Sequence, residues 1–180
     1  MADITLRPIT ADDIEQIRLW RNAPEVAQYM YTDQEITAEQ QLNWYHQVKK
    51  DTSKKYWIVE YNGEAKGVAS LYNIDVRFKS CYWAFYLGDR STRGAGIGAK
   101  VEYKVINHVF EDMNFNKLLC EVFVSNDRVI KMHEKFGFRR ESYFREHILK
   151  NSEYLDVVGL ALLKREWALL KDNYQKKIYG

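Results

Sequence analysis

One change of period constrains this chain more than any other feature. Between Tyr56 and Leu87 the apolar residues come in short runs, Tyr56-Trp57-Ile58-Val59, then Gly67 to Tyr72, then Cys81 to Leu87, with Asn62-Gly63 placed to give the left-handed backbone of a tight hairpin. Beyond them Ile97, Val101, Val105 and Val109 recur every four residues, the spacing of one helical face. Gly94, Gly96 and Gly98 lie between the two patterns. The spacing predicts a meander of three antiparallel strands that passes through a glycine turn straight into an amphipathic helix ending near Met113.

The flanks fit around that junction. Ile4 and Leu6 alternate with polar residues before Pro8, as in a first strand. Thr10 stands as an N-cap before a helix bearing Ile14, Ile17 and Leu19. Thr37 and Gln40 have the spacing of a capping box for a second helix through Leu42, Trp44, Tyr45 and Val48. Downstream come a strand over Lys117–Val124, a helix over Asp127–Phe136 stopped by Gly137, strands near Phe138–Leu149 and Tyr154–Leu162, and a closing helix from Lys164 to Tyr174. The order β, α, α, β, β, β, α, β, α, β, β is a mixed α/β (α+β) pattern, and no linker or repeat divides residues 1–180.

Composition excludes several classes. With 46% apolar residues among 180 there is enough for one substantial core. The formal charge is only +2 without long like-charge blocks, which argues against nucleic acid or an anionic membrane as partner. No apolar run approaches the roughly 20 residues of a membrane span. Met1 to Pro8 has no basic stretch leading into an apolar one, so a cytoplasmic location is expected. Cys81 and Cys120 sit singly in strand-like runs, where buried reduced thiols are expected. His46, His108 and His147 lack ligand spacing, so no metal is expected.

The segment Arg93-Gly94-Ala95-Gly96-Ile97-Gly98-Ala99-Lys100 opens a helix with amides unscreened by Cβ atoms, which suits a phosphate. Gly94, Gly96 and Ala99 also satisfy a dinucleotide fingerprint, but three meander strands precede it and too few α/β units follow. Gly98-Ala99-Lys100-Val101 breaks the Gly-Lys-Ser/Thr run of a nucleoside-triphosphate loop. Read as Arg93-x-x-Gly96-x-Gly98, the segment resembles the pyrophosphate loop of the GCN5-related N-acetyltransferases. Val124 to Phe138, with Asn126 and the run His133-Glu134-Lys135-Phe136-Gly137-Phe138, resembles a second motif of that superfamily.

That resemblance implies the GNAT fold: a central, mostly antiparallel twisted sheet of about seven strands with helices on both faces. It implies acetyl-CoA as co-substrate, held by Arg93, Gly94, Ala95, Gly96, Ile97 and Gly98 at the pyrophosphate. Asn126 would lie along the pantetheine arm, with backbone amides of Tyr86 and Leu87 at the thioester carbonyl. It also implies a bulge in the Tyr82–Leu87 strand that opens a slot beside it. His133 stands where the superfamily usually has the Tyr that protonates the leaving thiolate, with Tyr103 and Tyr143 as substitutes. Glu121, on the strand facing the slot, is the candidate to take a proton from the amine.

The N-terminal third resembles one branch in particular, the amino-sugar acetyltransferases of pseudaminic acid biosynthesis. These act on the 4-amino group of a UDP-linked amino-deoxy sugar. By that resemblance Arg21, Met30, Tyr31 and Gln41 face the acceptor, Gln41 standing where the branch commonly has His. Trp20 and Trp44 read as helix packing. Acetylation of a protein N-terminus or a polyamine is the close alternative, and acyl-CoA binding without turnover the more distant one. A polyamine site would show clustered carboxylates; Asp12, Asp13 and Glu15 form such a cluster in sequence, though they fit better as first-turn helix charges. A homodimer is the assembly to test.

Overall fold

In the computed structural model, which describes residues 3–88 and 96–180, every strand joins one sheet. The elements are β1 (Ile4–Pro8), α1 (Ile14–Asn22), α2 (Pro24–Ala27), α3 (Ala38–Val48), β2 (Lys55–Tyr61), β3 (Glu64–Asp75), β4 (Ser80–Leu87), α4 (Ile97–Asn107), β5 (Lys117–Phe123), α5 (Asp127–Lys135), β6 (Arg139–Lys150), β7 (Glu153–Leu163) and α6 (Lys164–Tyr179). The sheet order is β1-β2-β3-β4-β5-β7-β6, antiparallel throughout except for the β4–β5 pair. The expected seven-stranded mixed architecture is therefore present.

Local chemistry sets the boundaries. Asn62 and Gly63 both take positive φ, so β2 and β3 close on a two-residue turn with Tyr61 opposite Glu64. The capping box at α3 forms as expected: the Gln40 amide donates to Thr37 Oγ1, and the Thr37 amide to Gln40 Oε1. Pro24 at the first helical position starts the short α2, an element absent from the periodicity because four residues cannot display a stripe. The closing helix runs on to Tyr179 because Tyr174 and Ile178 pack against the core.

Strand alternation sends side chains to two faces. The larger core joins Trp57, Val59, Leu71, Trp83, Leu118, Cys120, Leu160 and Leu162 to Ile97, Val101 and Val105 of α4, to Val109 in the wider π-helical turn His108–Asp112 that continues it, and to Trp167 of α6. Each fully buried aliphatic of this set contributes about 1.5–3 kcal/mol. On the opposite face α1 buries Ile17 and Trp20 against Ile58 and Val68, with Trp44 of α3 meeting Tyr56 edge-on at 5.0 Å. Helices thus cover both faces, and both tryptophans pack as expected.

The first turn is tied to the sheet by Arg7, whose two terminal nitrogens each donate to a different oxygen of Asp13 at 2.7 Å. Burial opposes ionisation of Asp13, but the Arg7 fork and two donors from Thr10 outweigh it and hold the carboxyl below its ordinary range. A carboxyl so depressed adds stability above its unfolded pKa and loses it as pH falls through the folded one. Asp13→Asn should therefore cost about 2 kcal/mol at neutral pH. The gap from wild type should narrow in denaturant melts taken progressively below the ordinary carboxylate range.

Candidate active site

An opening arises where two strands stop pairing. β4 and β5 are in register only at Ser80–Lys117, Cys81–Leu118 and Tyr82–Leu119. Beyond that point β4 stays on β3 as far as Leu87, and β5 stays on β7 as far as Phe123. Each strand keeps its outer neighbour and loses its inner one, so alternate peptide groups of Trp83–Leu87 and Cys120–Phe123 face a slot. The expected bulge in β4 is absent: its register to β3 is unbroken from Tyr82 to Leu87, and the irregularity lies between Tyr72 and Asp75 in β3.

α4 begins beside this slot. Gly96 caps it with φ +70°, a left-handed conformation that side chains resist. The first intrahelical bond runs from the Lys100 amide to the Gly96 carbonyl, leaving the amides of Ile97, Gly98 and Ala99 ahead of the helical ladder. A Cβ on Gly98 would meet Phe85 at 3.6 Å and Met132 Sδ at 3.7 Å, ordinary contact distances, so chain packing does not demand glycine there. These uncommitted amides fit the diphosphate of an acyl-CoA. Arg93, Gly94 and Ala95 lie outside the described residues. Asn126 is the N-cap of α5, and its side chain makes no capping bond.

Tyr86 and Leu87 sit on the last paired stretch of β4, opposite Val68 and Gly67 of β3. The Tyr86 ring packs with Ile58 and Val68 on the α1 side, and Leu87 packs against the larger core.

His133 occupies a different setting from the one expected of an acid open to the slot. It is 3% exposed, and its Nδ1 lies 2.8 Å from Oε1 of the fully buried Glu102. Cys120 acts on the ring electrostatically, and Trp83 meets it edge-on at 5.2 Å. Burial disfavours the imidazolium, but Cys120 and Glu102 outweigh it and carry the His133 pKa up to about 10; burial raises the Glu102 carboxyl as well. Both shifts keep a proton on the Nδ1–Oε1 contact. Tyr103 packs on Trp167 and Tyr179 in the α4–α6 region, and the Tyr143 hydroxyl donates to Asp156 at the outer hairpin, so neither stands at the slot.

The other face of the split carries the polar groups. Glu121 of β5, two residues past Leu119 where pairing with β4 ends, accepts a hydrogen bond from the Tyr31 hydroxyl at 2.9 Å. The Tyr31 ring leans on Phe123 at 5.2 Å. The Tyr72 and Tyr82 rings stand 5.4 Å apart, and Glu121 acts electrostatically on the Tyr72 phenol. Tyr82, Glu121, Glu141, Ser142 and Gly159 line a cavity of about 140 Å³. Tyr31, expected as an apolar wall, therefore also orients the candidate base.

Arg21 sits nearby on α1. Its Nη2 donates to Thr32 Oγ1 at 3.2 Å, while its buried Nε has no hydrogen-bond partner among the described residues. Its charge reaches the Tyr86 phenol and Lys150. Met30 is half-buried, and its carbonyl accepts from Lys150. Gln41 is 4% exposed on the inner side of α3 beside Tyr45, so it is not on the open wall with Tyr31. Sequence reasoning passed over Glu102 and Lys150. The signal for Glu102 was a carboxylate adjoining the Val101–Val105 stripe; Lys150 had only its place before the Asn151-Ser152 turn.

A sheet split at its one parallel pair, with a helix N-terminus at the mouth and a carboxylate beyond, defines an acyl-CoA-dependent acyltransferase. Residues 3–139 match the Acetyltransferase (GNAT) domain family, and the chain belongs to it as an acetyl-CoA-dependent N-acetyltransferase. It is 30% identical over 130 residues to the Acetyltransferase PseH of Campylobacter jejuni subsp. jejuni serotype O:23/36 (strain 81-176), covering 72% of this chain and 79% of that protein. It is 20% identical over 164 residues to the spermidine N(1)-acetyltransferase of Escherichia coli (strain K12), covering 91% and 88%. Its fold matches that of spermidine N-acetyltransferase from Vibrio cholerae in complex with CoA and spermine, with a TM-score of 0.86 at 20% identity over 92% of this chain and 98% of that one. That likeness speaks to fold alone. No helix among the described residues is long and apolar enough to cross a membrane.

Gly96→Ala should lower stability by about 1 kcal/mol because of its φ, and Gly98→Ala should melt like wild type; calorimetry with CoA reads whether each changes affinity. His133→Leu strips Glu102 of its partner and should cost about 3–5 kcal/mol. Unchanged stability with lost turnover would instead return His133 to the role of acid.

Proposed function

We propose that this N-acetyltransferase acts on the amino group of a nucleotide-linked amino-deoxy sugar, in the manner suggested by its likeness to PseH. Acetyl-CoA brings the activated thioester. The acceptor enters from the α1–α3 side, its ammonium meeting Glu121, whose geometry is fixed by the Tyr31 hydroxyl. Loss of one proton to Glu121 frees the amine lone pair to attack the thioester carbonyl; the C–N bond forms, the C–S bond breaks, and the second proton on the now-cationic nitrogen passes to the departing thiolate, leaving the amide and CoA thiol. Amides along the free edge of β4, around Tyr86 and Leu87, are suited to the developing oxyanion.

The observation that carries the choice of acceptor is Arg21. The Arg21 guanidinium, whose Nε has no hydrogen-bond partner among the described residues, has donor capacity to offer an acidic oxygen, and Lys150 adds a second positive charge within electrostatic range. A polyamine bears positive charge of its own and would be repelled there. Two of the three carboxylates that mimic a polyamine cluster in sequence are already matched, Asp13 by Arg7 and Glu15 by Arg18. Met30 and Tyr31 offer apolar surface to a deoxy-sugar methyl group.

Thiol release and product mass, measured with an amino-sugar nucleotide, spermidine and an N-terminal peptide side by side, test this directly. Gain of one acetyl group on the sugar nucleotide alone is the expected result, and acetylated spermidine alone overturns it. Arg21→Ala should remove about 1.5–3 kcal/mol of acceptor binding, seen as a raised KM for the nucleotide sugar with that for acetyl-CoA unchanged. Glu121→Gln should lower kcat about a hundredfold or more.

A further inference from the structure

The acceptor wall rests on a loop with little secondary structure. Residues 28–37 connect α2 to α3, and Met30 and Tyr31 lie near its start. At its far end the loop is pinned to α1, where Asn22 exchanges two hydrogen bonds with the Ile36 backbone and Arg18 adds a third to its carbonyl. At its near end α2 has only four residues, and the turn that follows rests on single amide bonds, Tyr29 to the Val26 carbonyl and Met30 to the Ala27 carbonyl.

Lys150 reinforces this turn from outside it. This residue ends β6, 120 positions further along the chain from Met30, and is 6% exposed. Its ammonium donates to the carbonyls of both Ala27 and Met30 and lies over the Phe123 ring at 5.8 Å. A cation at the C-terminal carbonyls of a helix also matches the sign of the peptide dipoles. Asn151 and Ser152 both take positive φ, closing the β6–β7 hairpin so tightly that the Asn151 amide faces Asp33 Oδ2 of the same loop at 3.4 Å. Phe123, over which the ammonium lies, is the ring on which Tyr31 leans.

We propose that Lys150 is a positioning residue for the acceptor: it clamps the turn after α2 to the β6–β7 hairpin and thereby holds Tyr31 against Glu121. Lys150 does not reach the reacting atoms; it acts through the Ala27 and Met30 carbonyls. The inference rests on the acceptor entering beside Tyr31 and Glu121, as set out above.

The test replaces Lys150 by Met, which keeps the length and apolar stem and removes the donors. Two readouts are taken on the full chain: steady-state kinetics, and hydrogen exchange by mass spectrometry. The expected result is a KM for the amino-sugar nucleotide raised about tenfold to a hundredfold, with the KM for acetyl-CoA unchanged. Faster exchange should be confined to peptides covering residues 27–34. Lys150→Met combined with Tyr31→Phe should do little further harm beyond the worse single variant, because both act on one contact. Unaltered exchange over residues 27–34 overturns the proposal. So does loss of protection across the whole sheet with both KM values rising together, since that marks a structural role only. Should wild type acetylate spermidine and not the sugar nucleotide, the acceptor reading falls, and the clamp is judged by the same variant on the KM for spermidine.

Discussion

Everything functional in this fold depends on β4 and β5 parting after Tyr82 and Leu119. Unpaired backbone groups inside a sheet carry an energetic penalty unless something else satisfies them, and here each strand keeps a full ladder on its outer side. The uncommitted inner edges then offer peptide donors and acceptors to a bound pantetheine chain. Parallel pairing at this one position follows from the α4 crossover, which returns the chain in the same direction and places the helix N-terminus beside the slot.

The two faces of the split do different work. Toward α4 and α5 it is sealed by Trp83, Cys120 and the His133–Glu102 pair, all buried. A carboxylate and an imidazole in such surroundings are tolerable only because they hold each other, which makes this pair a structural liability if either is removed. Toward α1 and α3 the surface is polar and aromatic, with Glu121, Tyr31, Tyr72 and Tyr82 near one another and Arg21 close by. The polar face is therefore the one that suits an incoming amine, in keeping with the direct attack on the thioester proposed above.

Much of this architecture was legible in the residues. The Asn62-Gly63 turn, the Thr37–Gln40 box, the four-residue stripe of α4 and the Gly137 stop all depend on neighbours close in sequence, and each formed where expected. The pairing of Tyr31 with Glu121 was not legible, although both residues stood out individually, because 90 positions separate them. His133 shows how much its neighbours add to what its motif position suggests. Its motif position suggested chemistry, while its surroundings, supplied by Glu102 on another helix and Cys120 on a strand, make it a buried partner.

The sequence by itself determined which residues turn, which cap and which face inward, since those choices are set by backbone conformation and by periodicities of two and 3.6 within a few residues. Only the tertiary structure decided where the sheet opens, which carboxylate meets a phenol, and that a lysine late in the chain holds a loop near its beginning. Such contacts close loops of a hundred residues or so, and no local preference encodes them; they follow from the packing of the whole sheet.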